Sequence, residues 1–261
     1  MGLPNRATAG KLPVGKLSPT ELKFCKFWRF CEKKKMNRLL NIGVLLLLSA
    51  SVFAQSERTT DLGGILSAEF STGVGRSFSL SVEEELRFDN NCTQLDRWLN
   101  SVGVDYTFPR NRLKVGVAGD YIRRHNDAGY FENRWRAGLH LTYSEALYHF
   151  KFTYRSKLLF TFYDELTGEH RVNPKLYWRN RLQVSYQQPN SRFKYLLSAE
   201  LFWLTNDPKN RIIDNLRTVA TVEYRLTRRH YLSAFVRMDN DLQVKEPVDR
   251  FYLGLSFEAK Y

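Results

Sequence analysis

The segment Ser77–Asp89 reads SFSLSVEEELRFD and alternates apolar and polar residues. Successive side chains of a β-strand point to opposite faces, so the apolar residues of this segment share one face. They are Phe78, Leu80, Val82, Leu86 and Phe88. The opposite face carries Ser79, Ser81, Glu83, Glu85 and Arg87, while Glu84 interrupts the apolar face. The segment is therefore predicted to be a strand with one apolar and one polar face.

The same alternation recurs in about eleven segments between Leu62 and Tyr261, most of them about 11–17 residues long. Strands of soluble proteins average ~5–6 residues, whereas a tilted membrane strand needs ~9–11 residues within the bilayer. Bacterial single-chain barrels have even strand numbers. We expect about twelve strands if Gln55–Asp61 adds one, or ten if the irregular segment Tyr231–Asp239 is not a strand. The predicted fold is an all-β, antiparallel, transmembrane up-and-down β-barrel.

The connections between these segments alternate between short and long. Short links are predicted near Gly73–Arg76, Pro109–Asn111, Ser144–Glu145, Pro189–Ser191 and Thr227–Arg229. Longer links are predicted near Asn90–Leu95, Arg124–Tyr130, Asp164–Pro174, Asn206–Arg211 and Asn240–Pro247. Outer-membrane barrels have tight periplasmic turns and larger outside loops, so this alternation favours the same fold.

Aromatic residues on the apolar face collect near the strand ends, with Val, Leu and Ala between them. The membrane-interface aromatics are predicted to be Trp98, Trp135, Trp178 and Trp203 near the outer rim and Tyr143, Tyr186 and Tyr224 near the inner rim. Amphipathic rings are most stable at the two membrane–water interfaces. A soluble core would not sort its aromatics in this way.

The N-terminal region contains one sustained apolar run, Leu39–Ala50, which is shorter than the ~20 residues that a membrane-spanning helix needs. A basic cluster precedes the run, and Ser51–Ala54 ends it with small residues. This pattern predicts a signal peptide over residues 36–54, cleaved between Ala54 and Gln55. Residues 1–35 are interpreted as an over-extended, unstructured N-terminus, and residues 55–261 as a single barrel domain.

The composition and charge exclude several classes of protein. The 261 residues have a mean hydropathy of −0.44, which excludes a helical membrane protein. The net charge of +13 falls to about +5 once residues 1–54 are removed, and Cys92 is then the single cysteine. Arginines and aromatics lie on opposite strand faces, so they cannot form one stacking platform for nucleic acid. No cofactor or metal motif is found, and neither cofactor nor metal is predicted.

The polar strand faces are predicted to surround the lumen, because a charge on the lipid face at mid-bilayer costs ~2–4 kcal/mol. The candidate lumen-facing residues are Glu83, Glu85, Arg87, Arg134, Arg136, His140, His149, Arg155, Arg179, Arg181 and Glu223. Two interpretations are open. An ion-paired, largely filled interior would have a structural role, and a narrow conduit with a slight preference for anions would have a transport role.

A third interpretation is a membrane-embedded lipid hydrolase, which would need a serine and a histidine within hydrogen-bond reach. His140 and His149 are predicted to face each other on the lumen side of a hairpin centred near Glu145. No serine has a recognisable nucleophile setting, so no catalytic residue is assigned and an enzyme is not favoured.

The final strand, Phe251–Tyr261, reads FYLGLSFEAKY and ends in an aromatic residue. It resembles the C-terminal strand that the outer-membrane barrel assembly machinery recognises, with Phe257 and Tyr261 as the assembly signal. The segment Phe78–Asp89, with the following Asp96–Trp98, resembles an uncharacterised outer-membrane β-barrel family of Bacteroides-type bacteria, a domain of unknown function. The resemblance implies the outer membrane of a Gram-negative bacterium. The predicted partners are outer-membrane lipids, the assembly machinery, and small solutes or ions. The resemblance itself implies no activity.

Overall fold

The computed structural model of the protein describes residues 59–110, 112–125, 129–164, 172–206, 212–242 and 248–261. The strands in these residues are β1 (Thr59–Val74), β2 (Phe78–Asp89), β3 (Gln94–Thr107), β4 (Leu113–His125), β5 (Phe131–Leu147), β6 (Phe150–Tyr163), β7 (Lys175–Gln187), β8 (Phe193–Leu204), β9 (Ile212–Arg225), β10 (His230–Asp241) and β11 (Val248–Lys260). Within the described ranges no helix is long and apolar enough to cross a membrane. The predicted signal peptide, residues 36–54, lies outside them.

The strands form a closed barrel in which each strand pairs antiparallel with its neighbours along the chain. The first and last strands close the barrel as a parallel pair, from Thr59 opposite Val248 to Ser71 opposite Lys260. The predicted all-β, up-and-down barrel is confirmed. The number of strands differs by one, because the described residues contain eleven instead of twelve or ten. An odd number of strands closes here because β1 and β11 run in the same direction and pair in parallel. The irregular segment Tyr231–Asp239 is part of a complete strand, β10.

The described residues of the links at one end of the barrel, called here the turn end, are 75–77, 108–110, 112, 148–149, 188–192 and 226–229. One predicted link is wrong, because Ser144 and Glu145 lie within β5, opposite Thr153 and Phe152 of β6. The Ser144 Oγ and Thr153 Oγ1 atoms are 3.1 Å apart, so this part of the strand pair is also joined through side chains. The chain reverses at Tyr148, whose φ of 54° suits a tight turn.

The opposite end, called here the loop end, includes the link between β2 and β3. Three consecutive residues in this link, Asn90, Asn91 and Cys92, have positive φ values of 51°, 55° and 63°. Asparagine tolerates this conformation better than most residues. The Asp61 carboxylate accepts hydrogen bonds from the backbone N–H groups of Asn90 and Asn91 at 3.2 and 3.3 Å, which ties the link to β1.

The barrel is apolar outside and charged inside. Large apolar side chains point outward, and Leu182, Val102 and Leu139 are 65%, 55% and 53% exposed. By contrast, Glu200 and Arg237 point inward and are only 4% and 5% exposed. This is the reverse of a water-soluble protein, in which charged groups are almost never fully buried. The outer surface therefore suits a hydrocarbon environment.

Aromatic rings border the apolar band at both ends of the strands. Near the loop end, Trp178 stacks on Trp203 with ring centroids 5.6 Å apart. Near the turn end, Tyr186 packs against Phe150 at 5.0 Å. Eight residues separate Tyr186 from Trp178 along β7, or about 26 Å at the usual rise of a strand. This separation fits the ~25 Å apolar band of a membrane barrel.

The other aromatics proposed for the interfaces also lie on the outer surface. Trp98, Trp135, Tyr143 and Tyr224 belong to the outward-facing rows of β3, β5 and β9, where Tyr224 packs against Phe193 at 4.9 Å. The Nε1–H group of Trp98 donates a hydrogen bond to the Glu84 carboxylate at 2.8 Å. This contact gives the one acidic residue on the apolar face of β2 a polar partner.

Candidate functional site

The inward-facing side chains of the strands enclose a cavity of about 830 Å³ in the barrel interior. Among the described residues that line it, twelve are arginine or lysine and seven are aspartate or glutamate. The cationic lining residues are Arg87, Arg97, Arg124, Arg134, Arg136, Arg155, Lys157, Lys175, Arg179, Arg181, Arg217 and Arg237. Toward the turn end the lining includes small polar residues, namely Ser67, Ser198, Thr221, Ser233 and Ser256. The interior is therefore charged but not completely filled.

Five arginines follow the wall from β6 to β2, and we call them the arginine belt: Arg155, Arg179, Arg217, Arg237 and Arg87. The first two share an acid, because the Glu200 carboxylate accepts hydrogen bonds from Arg155 Nη2 at 3.3 Å and Arg179 Nη2 at 2.7 Å. The Phe202 ring lies next to Arg179 and Arg217, with guanidinium carbons 4.1 and 4.7 Å from its centroid. An aromatic face attracts cations, so Phe202 helps the two arginines to pack near each other.

The belt continues through a second acid and a second ring. Asp239 accepts hydrogen bonds from Arg217 at 2.8 and 3.1 Å and also binds Arg237. The Tyr252 ring lies 5.2 Å from the Arg237 guanidinium carbon and 5.3 Å from that of Arg87. Acids and rings alternate with the arginines along the belt, which reduces repulsion among like charges in the interior.

The Tyr252 ring occupies space that β1 leaves open at Gly63. A Cβ atom at Gly63 would overlap this ring and the Phe88 carbonyl oxygen. We expect Gly63→Ala to lower the free energy of unfolding by about 1–3 kcal/mol, the usual cost of overpacking. Urea unfolding of the protein refolded in lipid vesicles measures this change. Gly119→Ala is the control, because a Cβ there has no neighbour within 4 Å, and equal stability of the two variants would contradict this role of Gly63.

Other ion pairs extend the charged wall. Asp96 binds Arg124 at 3.0 Å, with Arg97 Nε 3.6 Å from its other oxygen. Asp120 is 3.5 Å from Arg136. Nearer the loop end, Glu132 binds Arg134 at 2.6 Å. Asp96, Glu132 and Asp120 are thus each paired with an arginine.

The predicted lumen residues fall into three groups. Glu83, Glu85, Arg87, Arg134, Arg136, Arg155, Arg179 and Arg181 line the cavity. His140 and Glu223 lie on the wall nearer the turn end, where His140 Nε2 is 2.9 Å from Asp105 and Glu223 is 3.1 Å from Lys194 Nζ. His149 is in the turn between β5 and β6, and its ring packs edge-on against Tyr186 at 6.5 Å.

The prediction that His140 faces His149 is wrong. His140 is opposite Lys157 in the β5–β6 register, because the turn lies at Tyr148 and not near Glu145. In the described part of the chain, no serine hydroxyl is hydrogen-bonded to a histidine, and His170 lies outside that part. Nor do the described residues contain a group of three or more His, Cys, Asp or Glu that could hold a metal ion.

Phe202, Tyr252 and Asp239 contact arginines of the wall and were not selected from the sequence. The signal that could have found the first two is the alternation itself. Phe202 lies two residues from inward-facing Glu200, and Tyr252 lies an even number of residues from Glu258.

An apolar exterior, two aromatic borders and a charged interior define the chain as a β-barrel of the membrane-spanning class. It belongs to the family described as "Protein of unknown function (DUF2490)", whose model matches residues 64–247. The predicted resemblance to a family of unknown function is thereby confirmed.

Two solved structures are similar to the chain. A structure titled "NanC porin structure in rhombohedral crystal form" has 13% identity and a TM-score of 0.45, with 68% of this chain and 86% of that chain covered. The anion-selective porin from Comamonas acidovorans has 12% identity and a TM-score of 0.35, with 71% of this chain and 54% of that chain covered. Because both TM-scores are below 0.5, neither likeness bears on function. No curated protein matches the sequence significantly.

Proposed function

We propose that the protein is a narrow outer-membrane channel that admits small solutes and favours anions. The observation that carries this proposal is the 830 Å³ interior cavity, lined by twelve cationic and seven acidic side chains among the described residues. Pores lined by arginine and lysine select for anions because their fixed charges attract the opposite sign. A barrel of this strand number is narrower than the 16–18-stranded porins with open aqueous channels.

Two acids of the interior are paired with arginines of the cavity wall. Glu200 and Asp239 are 4% and 5% exposed, and each is covered by two arginines. Asp239 is absent from the cavity lining, whereas Arg217 and Arg237, which bind it, are part of that lining. Among the described residues of the lining, cations therefore outnumber acids by twelve to seven, and the Asp239 carboxylate lies behind two of these cations.

The proposal places the protein in the outer membrane of a Gram-negative bacterium. Export would use the predicted signal peptide, residues 36–54, and insertion would use the barrel assembly machinery. The exposed side chains of Phe257 and Tyr261, at the turn end of the apolar surface, support the second step. Tyr261 is joined to β1 through its N–H, which donates to the Ser71 carbonyl at 2.8 Å, so the terminal residue belongs to the closing seam.

The alternative of a lipid hydrolase receives no specific support. It requires a serine and a histidine in contact, and the described residues supply no such pair. The described histidines instead form hydrogen bonds or ion pairs with Asp105, Gln94, Thr227 and Tyr261, or pack on aromatic rings.

The channel is tested with protein purified from the outer-membrane fraction and inserted into planar bilayers. Discrete current steps are expected, with a reversal potential in a KCl gradient that indicates preferential passage of chloride. Ser198→Glu adds a negative charge to the cavity lining and should shift the reversal potential toward potassium. Ser198→Gln is the control of similar size. The absence of current steps, or preferential passage of potassium by the unaltered protein, would contradict the proposal.

A further inference from the structure

Four cations of the wall are opposite one another, in two pairs, on two adjacent strands. Arg155 and Lys157 lie on β6, and Arg179 and Arg181 lie on β7. In the register of the two strands, Arg155 is opposite Arg181 and Lys157 is opposite Arg179. Like charges directly opposite each other destabilise a strand pair. Two such pairs lie side by side here, which indicates a functional role of these residues and not a contribution to the stability of the barrel.

The only acid that this group contacts within the described chain is Glu200, and its oxygens are already engaged. Oε1 binds Arg155 and Oε2 binds Arg179. Arg181 is opposite Arg155 on one side and Glu200 on the other, and it makes no ion pair among the described residues. The Nε atoms of Arg155, Arg179 and Arg181 are buried without a hydrogen-bond partner in that part of the chain.

Lys157 also lacks an acidic neighbour in the strand register. It is opposite His140 on β5 and Arg179 on β7, and His140 binds Asp105 instead. On β5, Gly138 places no side chain next to Lys157, and a Cβ atom there would lie 2.9 Å from Lys157 Cε. Lys157 can therefore lie along the wall, and among the described residues its ammonium group forms no ion pair.

We propose that Arg155, Lys157, Arg179 and Arg181 form a binding site for the carboxylate or phosphate group of a small solute. The inference rests on the proposed channel and names the class of solute that it binds. All four side chains line the cavity, so a solute can reach them. The planar guanidinium group of arginine matches carboxylate and phosphate oxygens in pairs, and lysine adds a compact charge. The bound anion would supply the negative charge that the four cations lack.

The test uses inorganic phosphate and succinate as probes of the chloride current through the protein in planar bilayers. Either probe is expected to block this current, and block by one alone identifies phosphate or carboxylate as the preferred group. Arg181→Gln combined with Lys157→Gln should raise the half-blocking concentration by about tenfold or more, because the anion would lose two charged hydrogen-bond donors. Lys194→Gln is the control, because Lys194 is a cation of the same wall whose ammonium group pairs with Glu223 at 3.1 Å.

Calorimetric titration of the protein in detergent with the same probes separates this site from the channel. Binding heat that disappears in the double variant supports the site, even where no current flows and the channel proposal fails. Chloride current without block and without binding heat overturns the site and leaves the channel intact. Arg181→Lys keeps the charge and the fold of the wall but removes the planar group, and it should retain weakened block. Equal block in the unaltered protein and the double variant would also overturn the site.

Discussion

Replacement of Asp239 by alanine is expected to lower the free energy of unfolding of the barrel by about 3–5 kcal/mol, the cost of leaving buried charges without their partner. Asp239 is 5% exposed and accepts hydrogen bonds from both Arg217 and Arg237. Without its carboxylate, two guanidinium groups would be adjacent in the interior and would repel each other. The arginine belt would lose the acid that joins β9 to β10.

Urea unfolding of the refolded protein in lipid vesicles, monitored by tryptophan fluorescence, measures this change. Glu258→Ala is the control, because the Glu258–Lys260 pair at 2.7 Å involves a lysine side chain that is 47% exposed. Exposed ion pairs contribute ~0–1 kcal/mol, so the control should be close to the unaltered protein. Similar losses in the two variants would show that the interior acids do not hold the arginine belt together.

Replacement of Leu139 by arginine is expected to destabilise the barrel in lipid by about 2–4 kcal/mol, the cost of a cation at the bilayer midplane. Leu139 lies on the outer face of β5, halfway between Trp135 and Tyr143, and is 53% exposed. In hydrocarbon the guanidinium group would have neither water nor an acid nearby. The same change on a surface in contact with water would have little effect.

Leu147→Arg is the matched control for this substitution. Leu147 is on the same strand and the same face, is 57% exposed, and ends β5 at the turn end. The cost of a cation falls to ~0–1 kcal/mol near the interface, so only Leu139→Arg should greatly reduce stability and insertion into vesicles. Equal effects at both positions would mean that the apolar surface does not lie in a bilayer.

The position of the β5–β6 turn shows where local sequence ceases to decide the structure. Ser144 and Glu145 are typical of a turn, yet both lie in a strand that continues to Leu147. Tyr148 and His149 form the turn because the register of β6 on β5 pairs Leu147 with Phe150. Because the predicted turn was a few residues away from the observed one, His140 was expected to face His149, whereas in the structure it is opposite Lys157. Which cross-strand residues meet depends on hydrogen bonds along the whole strand pair.

The strand number is a second case. The alternation predicts eleven segments, and the even-number rule then favoured twelve or ten. The described chain closes with eleven because Thr59–Ser71 pairs in parallel with Val248–Lys260. That contact joins residues from the two ends of the barrel, and no local pattern records its direction.

The sequence by itself determined the strands, their two faces and the aromatic borders, because the period of two follows from the geometry of an extended backbone. It also identified most of the charged wall, since the residues opposite an apolar face must point to the lumen. Only the tertiary structure decided the closing pair, the partners of the paired arginines, and that Lys157 and Arg181 form no ion pair among the described residues. These features depend on register between strands and on competition for each carboxylate, as at Glu200, and both arise only when the barrel is complete.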